Sequence, residues 1–230
     1  MGNFKREALV ATVKGVAGAV PFVGPITAEY IGLWNHNVAS KRQEEWMKLL
    51  EERLAQLESF KANIAEDEFF YSCVQMTTIG ALKAHEKEKR RIFADALYNS
   101  CIKVEFSEEK REIFITLIDR YTLLDIKLLK HFSKDRFQTK GNDTKQNSNM
   151  LRTHTSPSQE SPIKAIGESI PELLNEQELA KVISTKLYSD GLILAVDFEM
   201  PAYPERTRCK KTTSMGDQFI DFITADKFAG

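Results

Sequence analysis

The chain has 230 residues, 42% of them hydrophobic and 28% charged, with 32 Lys and Arg against 33 Asp and Glu for a formal net charge of -1. That content fills a core and excludes a disordered chain; the near-neutral balance excludes a global field for nucleic acid or anionic lipid, so an electrostatic partner must be met by a local patch. Three widely spaced cysteines, Cys73, Cys101 and Cys209, form neither a disulfide framework nor a zinc pattern, and fit a reducing cytosol.

The first distinctive stretch is "VKGVAGAVPFVGPITAEYIGLW", Val13 to Trp34. Lys5 and Arg6 precede it, but Lys14 falls inside it, Pro21 and Pro25 interrupt it, and no small-residue cleavage site closes it, so it does not read as a signal peptide. Arg6 stands where a myristoylation signal needs Ser or Thr. The uncharged run between Lys14 and Glu29 is about fourteen residues, short of the roughly twenty that span a bilayer. Gly15, Ala17, Gly18 and Ala19 permit close helix approach and Pro21 to Pro25 make a turn, which predicts a hairpin with an apolar tip. Such a hairpin suits either the middle of a helical bundle or a releasable membrane-perturbing or oligomerising element. In the second role its candidate residues are Val16, Val20, Phe22, Val23 and Ile26.

Four amphipathic helices follow. Trp46, Leu49, Leu50, Leu54, Leu57 and Phe60 make one apolar stripe within 39–60. A second helix opens on Glu66, Asp67 and Glu68, carries Phe69, Cys73 and Met76, and is weakened by Gly80. Phe93, Leu97 and Cys101, beside Ile92 and Ala96, mark a third. Ser107 is the expected N-cap of the longest, which runs to Phe132 through Phe114, Leu117, Ile118, Tyr121, Leu124 and Leu128. Joined by short loops, these predict an antiparallel bundle over 1–135.

Residues 136–162 are rich in Ser, Thr, Asn and Gln and read as a flexible linker. From 163 onward the rhythm changes. Pro171 suits a first helical turn, Asn175 and Glu178 have capping-box spacing, and Gly191 sits where a helix stops. "LILAVDF" then reads as a strand, Pro201 and Pro204 as a loop, "RCKKTT" as a return strand, and Met215, Phe219, Ile220 and Phe222 as the apolar face of a last helix. Helix, helix, hairpin, helix is the layout of a winged helix-turn-helix-like α/β module, so the predicted fold is mainly α: a bundle, a linker and this module.

Two phrases carry a resemblance. "LYSDGLI" resembles the end of a recognition helix entering a wing, and "KTTSMGDQFIDFI" resembles the "LTxxGxxFLxxI" ending of bacterial winged-helix proteins. The resemblance implies that Thr213 caps the last helix, that Gly216 allows close packing, and that Phe219 and Ile223 are structural. Together with "LxxRLxxLE" at Leu50 to Glu58, "EKRRIFADAL" and "LLDIKLLKHF", the chain resembles a loose group of mostly uncharacterised bacterial helical proteins, some similar to abortive-infection or phage-defence components.

Catalytic chemistry finds no pattern here. His36, His85, His131 and His154 lack ligand spacing, no phosphate loop, dinucleotide fingerprint or nucleophile elbow is present, and Asp119 and Asp125, six apart, read as solvated charges. The sequence therefore predicts no catalytic residue, cofactor or metal. As a DNA-binding module the C-terminal part would use Lys181 and Lys186, with Thr185, on its recognition helix, and Arg206, Arg208 and Lys210, with Lys211, near the wing. Glu176, Glu178, Asp190, Asp197, Glu199 and Glu205 surround these cations, where a phosphate-facing surface should carry little acid. The first expectation is thus a non-enzymatic bacterial protein, cytoplasmic or peripheral at the inner membrane, acting through a protein partner or self-association, and meeting a membrane only after a trigger. The alternative is a DNA-binding transcriptional regulator.

Overall fold

The computed structural model describes residues 36–54, 68–102, 105–134, 161–199 and 207–224. The protein is mainly α-helical. The chain divides into two compact units, with boundaries after Tyr121 and after Ile220.

The first unit contains α1 (His36–Leu54), α2 (Glu68–Lys83), α3 (Lys87–Ile102) and α4 (Glu108–Arg120). Helix α1 packs on α2 and α3, and α4 packs on the same pair. Trp46 and Leu50, one turn apart, form the buried stripe of α1, and the Trp46 indole N–H donates to Thr78 Oγ1 at 3.2 Å. Gly80 has a packing reason: a Cβ there would lie 2.3 Å from the Phe93 ring, so glycine lets α3 approach α2. Ion pairs hold α1 to α3, Arg53 to Asp95 at 2.6 Å and Arg90 to Glu45 at 2.5 Å. Burial works to raise the Glu45 carboxyl, but the Arg90 bond and the Lys87, Arg90 and Lys41 charges outweigh it and leave the group below its usual range.

Ser107 caps α4 as expected, accepting from the Lys110 N–H. The rings of Phe106, Phe114 and Phe222 cluster with centroids 5.4 to 6.1 Å apart. Beside them the Asn99 amide donates to the carbonyls of Phe222 at 2.7 Å, Thr224 at 3.1 Å and Asp221 at 3.3 Å, satisfying carbonyls that a helix end leaves open.

The long helix expected from Ser107 to Phe132 is two helices. Tyr121 leaves helical geometry at φ -86, ψ 141, and Thr122 starts α5 (Leu123–Phe132) with a capping box. The Asp125 N–H donates to Thr122 Oγ1 at 3.2 Å and the Thr122 N–H to Asp125 Oδ2 at 2.7 Å. Apolar spacing continues through the break, so periodicity could not reveal it; the Thr-x-x-Asp signal was local.

The second unit holds α5, α6 (Pro162–Gly167), a 3-10 turn (Pro171–Leu173), α7 (Gln177–Ser189) and the start of α8 (Ser214–Phe222). Helix α5 packs on α7, and the 3-10 turn packs on α6 and α7. The expected capping box of Asn175 with Glu178 does not form: the N-cap is Glu176, with no side-chain cap bond. The Leu174 and Glu176 N–H groups close 3-10 bonds to Pro171 and Leu173, which moves the helix start one residue past Asn175. At its far end α7 closes with a Schellman motif: Gly191 at φ 72, its N–H to the Tyr188 carbonyl, and the Leu192 N–H to the Leu187 carbonyl.

The expected hairpin is also corrected. Among the described residues there is no strand, only one antiparallel bridge between Ile193 and Thr212. Asp197 Oδ1 takes the Glu199 N–H at 2.9 Å, a local bond that competes with a ladder, and Thr207 and Arg208 are helical where a return strand was expected. Single rungs remain: Leu194 N–H to the Lys211 carbonyl and Lys211 N–H to the Phe132 carbonyl, each 2.8 Å, and Thr213 N–H to the Leu192 carbonyl at 3.0 Å. Thr213 Oγ1 accepts the Gly216 N–H at 3.1 Å and donates to the Gly191 carbonyl at 2.6 Å. A Cβ on Gly216 would stand 2.0 Å from the Leu192 carbonyl oxygen, so only glycine fits.

Candidate interaction surface

Helix α7 is the element on which a site would be built. Ala180, Ile183, Ser184 and Leu187 form its buried face at three- and four-residue steps. Its outer side carries Glu178, Val182, Thr185 and Tyr188, with Val182 64% and Tyr188 55% exposed. This is an apolar and acidic surface where a DNA-reading helix would present free cations.

Four of the cations proposed for DNA, Lys181, Lys186, Arg208 and Lys210, are held by carboxylates, and the Lys211 ammonium bonds to Cys209 Sγ at 3.6 Å. Lys186 Nζ lies 2.7 Å from Asp125 Oδ2, and that carboxylate, only 3% exposed, also accepts the Thr122 N–H. Lys181 bonds to Glu199, and to Glu178 at 3.1 Å, and these two bonds, Glu199 first, raise its pKa. Arg208 pairs with Glu168 at 2.8 Å and Lys210 with Asp217 at 2.6 Å. Burial works to raise the Asp217 carboxyl, but bonds from Lys210 and Thr212 leave it lowered. Arg206 lies outside the described residues. Lys181, Lys186, Arg208 and Lys210 are thus distributed over separate carboxylates.

Alongside α7 runs a groove of about 300 Å³. Lys181, Ser184, Thr185 and Tyr188, spaced at i, i+3, i+4 and i+7, form one wall, and the segment from Ala195 to Glu199 forms the other. Ser184 is buried and its hydroxyl has no hydrogen-bond partner among the described residues. Sequence reading passed over Ser184 and Tyr188 because it followed charge; their helical spacing from Lys181 was the available signal.

The apolar-hairpin candidates Val16, Val20, Phe22, Val23 and Ile26 also lie outside the described residues, as does His154. His85 is exposed beside Glu86 and His131 is buried against the Phe132 ring. Asp119 is exposed, but Asp125 is the buried third residue of the Thr122 capping box and not a solvated charge. Burial pushes the Cys101 thiol up, which disfavours its thiolate. Among the described residues no group of His, Cys, Asp and Glu could hold a metal ion, and no helix is long and apolar enough to cross a membrane. No family model, curated protein or solved structure matches the chain.

Proposed function

We propose that the protein is a non-enzymatic bacterial component acting by protein association, of the phage-defence or abortive-infection kind that its sequence resembles. The observation that carries this reading is the outer surface of α7: Val182 and Tyr188 are open while Lys181 and Lys186 are tied to carboxylates. Aromatic and apolar side chains without free cations match a protein-docking surface better than a phosphate-docking one. The segment from Val13 to Trp34 supplies the self-associating or membrane-perturbing element, and the protein is cytoplasmic at rest or peripheral at the inner membrane. Sedimentation of the native chain and of Phe22→Asp, with dye release from anionic liposomes on the same samples, tests this. Self-association or release lost in the variant supports the reading; a native chain that remains monomeric, inert to liposomes and without a protein partner refutes it.

A second reading keeps the C-terminal module as a winged helix on DNA. What supports it is the Gly191 turn after α7 and the antiparallel bridge between Ile193 and Thr212. The ion pairs of Lys181, Lys186, Arg208 and Lys210 weigh against it, because each would have to be broken before phosphate could be met.

A further inference from the structure

The groove beside α7 has a chemistry of its own. Near its Lys181 end stand three carboxylates, Glu178, Asp197 and Glu199, against one ammonium. The side chains of Glu178 and Glu199 are 86% and 72% exposed, whereas Lys181, between them, is 28% exposed. What a ligand meets there is therefore negative, and the ammonium is already engaged by both glutamates. Phosphate and carboxylate ligands are repelled; a cation is attracted.

Apolar surface continues from that end. The Tyr188 ring is open along one wall, Val196 is half-buried opposite, and Phe198 is buried beneath. A cation on an apolar stem matches such a surface, its methylenes on the apolar wall and its charge on the tyrosine face or among the carboxylates. The volume of about 300 Å³ is small for a cofactor and adequate for a long side chain. Ser184 adds an independent sign: a buried hydroxyl without a partner among the described residues, lining this groove. Outside the groove lining Val182 and Leu194 are exposed, so a bound chain has further apolar surface to meet, which a free amine cannot use.

We propose that this groove docks a basic segment of a partner protein, with an arginine or lysine side chain lying along Tyr188 and its charge against Glu178, Asp197 and Glu199. The proposal rests on the association reading above and deepens it by naming the partner's chemistry.

The test uses the full chain and a short fluorescein-labelled peptide of alternating arginine and leucine, followed by anisotropy. The controls are the same peptide with glutamate for arginine, and free arginine as competitor. Ala195→Trp fills the groove without altering charge, Glu199→Gln removes one carboxylate, and Glu112→Gln removes an exposed acid in the first unit; circular dichroism checks that each is folded. Saturable binding to the native chain is expected, weakened about tenfold or more by Ala195→Trp and by Glu199→Gln and unchanged by Glu112→Gln. The glutamate peptide should not bind. Equal binding by all variants, no binding at all, or displacement by free arginine as effective as by unlabelled peptide would overturn the proposal. Sedimentation and dye release, read on the native chain and Phe22→Asp, are independent of the groove. If they succeed while the peptide fails, the groove inference falls and the association reading stands.

Discussion

Lys186 Nζ sits 2.7 Å from Asp125 Oδ2, joining α7 to the first turn of α5 through a carboxylate that also caps that turn. A lysine that sequence reading assigned to DNA is thereby part of the internal frame of the second unit. Lys186→Met should lower stability by about 2 kcal/mol, because it leaves the Asp125 carboxylate buried without the ammonium that compensates its charge. A lower urea midpoint with an unchanged slope would show this. An unchanged midpoint would mean that the pair is not formed in solution.

The two glycines at the end of the chain should respond differently to alanine. Gly191→Ala meets no neighbouring atom and pays only for its positive φ, about 1 kcal/mol. Gly216→Ala drives a methyl against the Leu192 carbonyl oxygen, a backbone atom that cannot swing aside, and should cost about 3 kcal/mol. Thermal unfolding of the two variants should rank them in that order.

The Asn99 amide donates to three carbonyls, those of Asp221, Phe222 and Thr224. Asn99→Ala should therefore lose about 2 kcal/mol and speed hydrogen exchange at the end of α8 more than in α2. Exchange that rises uniformly would contradict this local role.

Acid should act on the first unit through Glu45. Its folded pKa lies below the ordinary glutamate range, so its pairing stabilises the fold above that range and is lost as pH falls through the folded pKa. Between about pH 5 and about pH 3, Glu45→Gln should lose less stability than the native chain. Parallel losses would show that the Arg90 pair contributes nothing to the pH dependence.

Local chemistry and apolar spacing were legible in the sequence wherever one short signal decided the structure. Ser107 and Gly191 each act within a few residues of themselves, and their roles follow from residue type, whereas Thr213 and Gly216, which meet Gly191 and Leu192 across the fold, were pointed to by the resemblance of their segment. The α1 to α4 stripes were equally readable, since Trp46, Phe93 and Phe114 mark faces that the bundle buries. The break at Tyr121 was not, because apolar spacing continues across it. The wing was not, because alternation in "LILAVDF" cannot register the Asp197 bond that bends the chain. Pairing of the cations was the least readable feature: Lys186 with Asp125 and Arg208 with Glu168 join residues far apart in sequence, and only the fold brings them together.

The central claim is that Lys181, Lys186, Arg208 and Lys210 serve carboxylates of the chain itself and leave α7 to dock protein. Anisotropy of a labelled DNA duplex titrated with the full chain across a salt series tests it most directly. The account predicts no saturable binding even at about 50 mM salt, and no difference between the native chain and Arg208→Gln. Saturable affinity that falls steeply with salt and disappears in Arg208→Gln would contradict it and restore the DNA-binding reading.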